Sequence, residues 1–336
     1  MTGWWLHVVK GKKRNANMKD VAAVAGVSIA TISRYLNGNL NRMSKDTAKR
    51  IKIAIDKLNY VPNSAARQMI TRSSKMIAVV VANIDDYFST ELFKGVSSIL
   101  ESNGYIGALF DSDSKIERET QLLKKINSHT FDGLILQPLT ERTDNIANQI
   151  RREIPITIVD RELTPAPWPQ VVTNNYQAAY DATEAFKNKG FSNVIVITSD
   201  ISQASTRQER YDGIAAVANS IEMVEVSEES YNHATVLTKL INLLTQATEN
   251  TLIFGLKERW LLEFLPTLVY QGYVDGEKAV ATGFADTDLL QNLAPSIHLI
   301  NQNPFLMGAS AAEVMVNSLA GKTENQGKIV IPAHLK

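Results

Sequence analysis

MKDVAAVAGVSIATISRYLNGNLNRMSKDTAKRIKIAIDKL, Met18–Leu58, parses as two short helices joined by a tight turn, with a third helix behind them. The first runs from about Lys19 to Ala25 and turns Val21, Ala22 and Ala25 inward. Gly26 supplies a left-handed turn that a side chain would obstruct. Ser28 is placed to cap the second helix, whose first-turn amides have no partner inside the helix. Ile32 and Leu36 stand four residues apart and form its buried stripe. Ser44 caps the third helix, where Ala48, Ile51, Ile55 and Leu58 recur at helical spacing. Ile29, Ala30, Ser33 and Arg34 are left pointing outward.

A helix–turn–helix of this kind lays its second helix in the DNA major groove. A generic three-helix bundle has the same outline, and charge separates the two. Residues 18–75 hold eleven Lys/Arg against three acids, a net of +8. Lys10, Lys12, Lys13 and Arg14 bring residues 1–75 to +12, so in a chain of net charge zero residues 76–336 carry −12. A basic head on an acidic body is the footprint of a polyanion reader, and the overall balance conceals it.

The next segment makes the reading specific. DVAAVAGVSIATISRYLNG followed by NYVPNSAARQM resembles the DNA-binding head and hinge of the LacI/GalR family of bacterial transcription regulators. The resemblance covers the head without gaps. It implies that Ile29, Ala30 and Arg34 read base edges, Arg34 suiting guanine and the two apolar residues thymine methyls. Ser28, Thr31, Ser33 and Asn37 then hold phosphates and fix register. It also implies a hinge helix with Asn63, Ala66, Arg67 and Met69 at the minor groove. The family places leucine at the last position; methionine here is a departure that keeps an apolar wedge.

Three hundred and thirty-six residues suggest two or three units, and 44% hydrophobic content is ample for a packed core. No run approaches the roughly 20 apolar residues of a membrane span. The absence of cysteine excludes disulfides and thiol chemistry and suits a cytoplasmic location. Residues 1–17 place an apolar patch, Trp4–Val9, before the positive charges, the reverse of a signal peptide. They are expected to be a mobile extension, with Met18 as a candidate start. The expected domains are then the extension 1–17, the head 18–61, the hinge and linker 62–75, and the body 76–336.

In the body the periodicity changes. MIAVVVANI (76–84) is a continuous apolar run, the mark of a strand covered on both faces. Helical and strand patterns alternate from there to the end of the chain, predicting doubly wound parallel sheets. The pattern restarts near residue 173. Two α/β halves in series resemble the periplasmic-binding-protein-like body of the same family. That implies a first subdomain of about 76–172 plus 300–320 and a second of about 173–298 plus 322–336. Crossings are expected near Val171–Thr173, Ile297–Gln302 and Ala320–Lys322.

Ligands of open α/β sheets sit beyond the carboxyl ends of the strands. Residues at those ends give the expected effector set: Tyr87, Phe88, Gln137, Arg161, Arg210, Lys257 and Asp286. Arg210 falls where the family's Arg-x-x-Gly places a ligand-contacting arginine. Two acidic positions of the family pattern are altered, to Leu256-Lys257 and Ala285-Asp286. Arg161, Arg210 and Lys257 are therefore expected to converge with few acids beside them, which an anionic ligand would resolve. The expected effector is an anionic sugar derivative, a sugar acid or sugar phosphate, ahead of a neutral sugar or a nucleoside; the resemblance points to the branch of the family that senses 2-keto-3-deoxygluconate and related uronate breakdown products.

A sugar-binding enzyme or receptor without a DNA role is the alternative. No Walker-type or dinucleotide glycine loop, no nucleophile elbow and no metal-ligand histidine spacing occurs in the sequence. No catalytic residue, metal or cofactor is expected. The partners are operator DNA, a small-molecule effector and a second copy of the chain. No heptad tail for tetramers follows the last strand, so a homodimer is expected.

Overall fold

The computed structural model describes residues 16–61, 73–322 and 327–336. The chain divides into two units, Met1–Ser74 and Lys75–Lys336. The hinge candidates Asn63, Ala66, Arg67 and Met69 and nearly all of the extension lie outside the described residues.

The first unit contains α1 (Met18–Ala25), α2 (Ile29–Leu36) and α3 (Lys45–Leu58), with a 3-10 turn at Leu40–Arg42. Asn17 and Asp20 form a reciprocal capping box on α1, and Gly26 ends that helix at φ 64°. Ser28 Oγ accepts from Thr31 N at 3.2 Å, and Ser44 Oγ accepts from Thr47 N at 3.1 Å. Val21, Ala22, Ala25, Ile32, Ile51, Ala54 and Tyr60 form the core. Leu36, Ile55 and Leu58 pack around it, half-buried.

The second unit has two lobes. The first sheet contains β1 (Met76–Val81), β2 (Ile106–Asp111), β3 (Gly133–Leu136), β4 (Ile156–Asp160), β5 (Gln170–Thr173) and β11 (Lys328–Ile331). Its order is β11-β5-β4-β3-β1-β2, parallel throughout. The second sheet contains β6 (Asn193–Thr198), β7 (Ser220–Glu225), β8 (Thr251–Gly255), β9 (Ala279–Phe284), β10 (Ile297–Asn301) and β12 (His334–Leu335). Its order is β12-β10-β9-β8-β6-β7, with only β12 antiparallel. The first lobe carries α4 (Tyr87–Ser102), α5 (Ile116–Ser128), α6 (Thr143–Ala147) and α11 (Pro304–Leu319). The second carries α7 (Asn175–Lys187), α8 (Ser205–Ala215), α9 (His233–Gln246) and α10 (Glu258–Tyr270).

The sequence expectation needs correction at the third crossing. It gives residues 322–336 to the second subdomain, but β11 pairs in register with β5 of the first sheet, Lys328 opposite Gln170. The crossing falls at Pro332–Ala333, not at Ala320–Lys322. The cause is β5: Gln170–Thr173 is a fully buried strand between β4 and β11, whereas the sequence expectation treats those residues as a connection. α8 starts at Ser205 and β7 at Ser220.

The helices α4 and α11 meet backbone to backbone in the first lobe. A Cβ on Gly308 would fall 2.0 Å from the Leu92 carbonyl oxygen, and one on Gly95 would fall 2.0 Å from that of Phe305. Leu92, Val96, Met307 and Met315 seal the contact. Gly308→Ala gains about 1 kcal/mol of helix propensity, yet it must push two helices apart against a close-packed core. The expected net effect is a loss of about 1–3 kcal/mol, read as a lower midpoint in thermal or urea unfolding. Gly327→Ala, where an added Cβ meets nothing within 4 Å, is expected to leave the midpoint unchanged.

Candidate nucleic-acid interface and ligand cleft

In the head, burial of Ile32 orients α2. Ile29 is 43% exposed, and Ala30, Arg34 and Asn37 are exposed with it, while Thr31 and Ser33 are half-buried. Ser28 is exposed, but its Oγ is engaged by the Thr31 amide and lies 2.9 Å from the Thr31 hydroxyl. Asn37 Nδ2 donates to Ser33 Oγ at 3.5 Å. The surface of α2 thus offers a guanidinium, an apolar pair and several hydroxyl and amide groups. That is the chemistry needed to read base edges and grip phosphates.

In the body, a cavity of about 270 Å³ opens between the lobes at the carboxyl ends of the strands. It brings together six of the seven expected residues: Tyr87, Phe88, Gln137, Arg161, Arg210 and Lys257. Asp286 does not line it. Its carboxylate sits behind the wall, accepting from Gln302 N at 2.7 Å and Asn303 N at 3.0 Å. Tyr87 is 40% exposed; Phe88 packs partly against the first-lobe core. Phe284, absent from the expected set, carries the Arg210 guanidinium 3.8 Å above its ring centroid.

Each cation has its own partners. Arg210 donates from Nε to Asn175 Oδ1 at 2.8 Å, and its terminal nitrogens donate to the Leu256 carbonyl and Gln302 Oε1. Burial pulls its pKa down to about 10, so it stays charged at neutral pH. Lys257 Nζ lies 3.1 Å from Asp86 Oδ2 and 3.2 Å from Glu228 Oε2. Glu228 also receives Arg207 at 2.6 Å. Burial alone would raise the Glu228 carboxyl, but Lys257 and Arg207 hold it down at about 2. Arg161 donates to the Pro138 carbonyl at 3.2 Å, while its buried Nε has no hydrogen-bond acceptor and stands 4.0 Å from Asp160 Oδ2.

The expectation of cations with few acids beside them is therefore overturned. Asp86, Asp160 and Glu228 stand among them. Glu228 is missed because it lies in the loop beyond β7, which no periodicity marks, while Arg207, one turn before Arg210 on α8, falls near the strand ends in sequence but is left out of the expected set. Lys257 at the start of α10 opposes the helix dipole; its two carboxylate neighbours explain how it is tolerated.

Two other carboxyls are held partly protonated near neutrality. Glu119, 2% exposed, accepts from Leu139 N at 2.7 Å, and Glu258 accepts from Thr287 N at 2.9 Å. Burial raises each to about 7. The folded state therefore holds more protons than the unfolded chain between the ordinary glutamate range and pH 7. Stability from these two groups is full at low pH and is lost as pH rises through 7. Glu228 works the other way, its contribution being lost as pH falls below the ordinary glutamate range toward 2. The double variant Glu119→Gln/Glu258→Gln is expected to flatten the fall in unfolding free energy between pH 5 and 8, measured by urea titration at each pH. The flattening is about 1.4 kcal/mol for each tenfold difference in proton affinity that the two substitutions abolish.

Two family profiles match this chain: "Bacterial regulatory proteins, lacI family" over residues 17–63 and "Periplasmic binding protein domain" over residues 77–330. The HTH-type transcriptional regulator KdgR of Bacillus subtilis (strain 168) is 30% identical over 312 residues, covering 91% of this chain and 92% of that protein. A LacI transcriptional regulator from Lactobacillus brevis, known from a crystal structure, is 53% identical with a TM-score of 0.75. It covers 78% of this chain and all of that one. The Lac repressor dimer bound to operator and the anti-inducer ONPF superimposes with a TM-score of 0.81 over 96% of this chain and 98% of that one, at 17% identity, a likeness of fold alone. With a basic helix–turn–helix head and a two-lobed body built around an interlobe cleft, the chain belongs to the lacI family of DNA-binding bacterial regulatory proteins.

Proposed function

We propose that this regulator is a cytoplasmic homodimeric repressor of a carbohydrate or sugar-acid catabolic operon, released from its operator by an anionic sugar derivative bound between the lobes. The reading of a repressor of sugar catabolism draws on relatives named as regulators and repressors of this kind, among them the ribose operon repressor of Bacillus subtilis, 26% identical over 94% of this chain. Among the described residues no helix is long and apolar enough to cross a membrane.

One observation carries the effector's charge. With Lys257, Arg207 and Arg210 engaged by protein groups, Nε of Arg161 is, among the described residues, the fully buried cleft N–H left wanting an acceptor, and Arg259 adds a further guanidinium to the cavity wall. A carboxylate or phosphate satisfies a guanidinium better than a neutral hydroxyl, through shorter and stronger charge-assisted bonds. Gln137 fixes the neighbourhood by donating to Asp160 Oδ2 at 2.7 Å and accepting from Ala82 N at 2.8 Å. Neutral polar walls and the Tyr87 ring remain for the hydroxyls and faces of a sugar.

Calorimetry with gluconate-type acids, sugar phosphates and neutral hexoses tests the charge. Binding confined to anions, and lost in Arg161→Leu, is expected; tight binding of a neutral hexose alone sinks it. For the head, Arg34→Ala is expected to weaken binding to upstream operator DNA by about 1–3 kcal/mol and to relax discrimination at one base pair. Wild-type affinity should fall steeply with salt in a gel-shift titration. A wild-type protein indifferent to salt and sequence overturns the DNA reading.

A further inference from the structure

Among the described residues, Lys257 makes the ion pair that joins the two lobes. Asp86, at the start of α4, belongs to the first lobe; Lys257 and Glu228 belong to the second. Lys257 Nζ is 3.1 Å from Asp86 Oδ2 and 3.2 Å from Glu228 Oε2. A second link runs beside it, as Ser114 Oγ, from the loop after β2 of the first lobe, donates to Glu228 Oε2 at 3.1 Å. Arg207 of α8 steadies the other Glu228 oxygen at 2.6 Å. The side chains of Lys257, Asp86, Glu228 and Arg207 are only 17, 18, 12 and 8% exposed, so salt screens them little.

We propose that Lys257 is an interlobe clasp: its ammonium, shared between Asp86 of one lobe and Glu228 of the other, holds the cleft shut through the protein's own side chains and sets the balance between open and closed forms. The inference does not depend on the effector's charge. Without the ammonium, Asp86 and Glu228, carboxylates of opposite lobes, face each other with only Arg207 left to offset them, and like charges so placed repel. The lobes relieve that repulsion by parting. The lysine is thereby withdrawn from ligand recognition; it acts as a positioning residue for the lobes.

Because the chain has no cysteine, a pair of spin labels can be placed cleanly. Glu141→Cys and Gln203→Cys, exposed on opposite lobes, report cleft width by pulsed dipolar spectroscopy on the full chain. With Lys257→Met the mean distance is expected to lengthen by more than about 2 Å, the scale of a true domain rearrangement. Lys257→Arg is expected to keep the wild-type distance, as is Lys124→Met, an exposed cation outside the cleft. Adding Glu228→Gln to Lys257→Met removes one of the facing charges and is expected to bring the lobes back together. A wild-type distance in Lys257→Met, or no recovery in the double variant, overturns the clasp. Should Lys257→Met fail to fold in a thermal scan, Asp86→Asn serves instead, and an unaltered distance there overturns it equally.

Discussion

Ala333 N donates to Asn174 Oδ1 at 2.7 Å, and the cleft depends on that bond and its neighbours. The chain passes between lobes at Asn174, at Gln302–Asn303 and at Pro332–Ala333. Thr173 Oγ1 donates to the Ile331 carbonyl at 2.5 Å, so the first and third crossings are stapled twice. Arg210 ties the first to the second through Asn175 and Gln302, and Asp286 fixes Gln302 in turn. Three short adjacent crossings tied to one another form a single hinge region between the lobes. Parallel strands then point their carboxyl ends into a shared gap, where an α/β sheet offers exposed loops and helix N-termini. Asp286 matters here as a brace for the crossing, a role consistent with its place behind the cavity wall.

The gap is charged, and the side chains that carry its central charges are largely buried. Removing one member of a buried ion pair typically costs about 3–5 kcal/mol, because its partner is stranded. The cleft meets this by alternation. Glu228 stands between Lys257 and Arg207, Lys257 stands between Glu228 and Asp86, and Arg210 rests on the face of Phe284 with its terminal nitrogens and Nε satisfied. Asp86 keeps one buried oxygen without a partner, and Arg161 keeps one such nitrogen. An acceptor and a donor left wanting in one cavity define a ligand with complementary groups more sharply than a tally of charges does. The cavity's acids and bases nearly cancel, so selectivity rests on which groups are already spent.

Much of this is legible in the sequence, and the failures have physical causes. Caps, the Gly26 turn and the inward stripe of the head follow from local rules, because a three-helix unit is determined by contacts close in sequence. The two sheets are legible from apolar runs such as Met76–Val81. The third crossing is not, because pairing of β11 with β5 joins residues some 158 apart and nothing local announces it. At the site, residues directly after a correctly placed strand can be found, as with Gln137, Arg161 and Lys257. Glu228 lies in the loop beyond β7, and Arg207 lies inside α8, one turn before Arg210. Their absence from the expected set is the error that matters, since Glu228 is what neutralises Lys257 and Arg207 is what steadies Glu228.

Charge divides the labour along the chain. Residues 1–75 carry +12 and residues 76–336 carry −12, so the net attraction to phosphates resides in the first 75 residues. Exposed charges are screened beyond about 8 Å at physiological salt, so acids of the body do not cancel bases of the head once DNA is engaged. They do oppose any approach of the body to the duplex. The same arrangement suppresses non-specific adhesion by the larger part of the molecule while leaving α2 free to read. A sensor built this way needs a cleft whose closure is finely poised, and a cation held between opposing carboxylates of two lobes is a compact means of poising it.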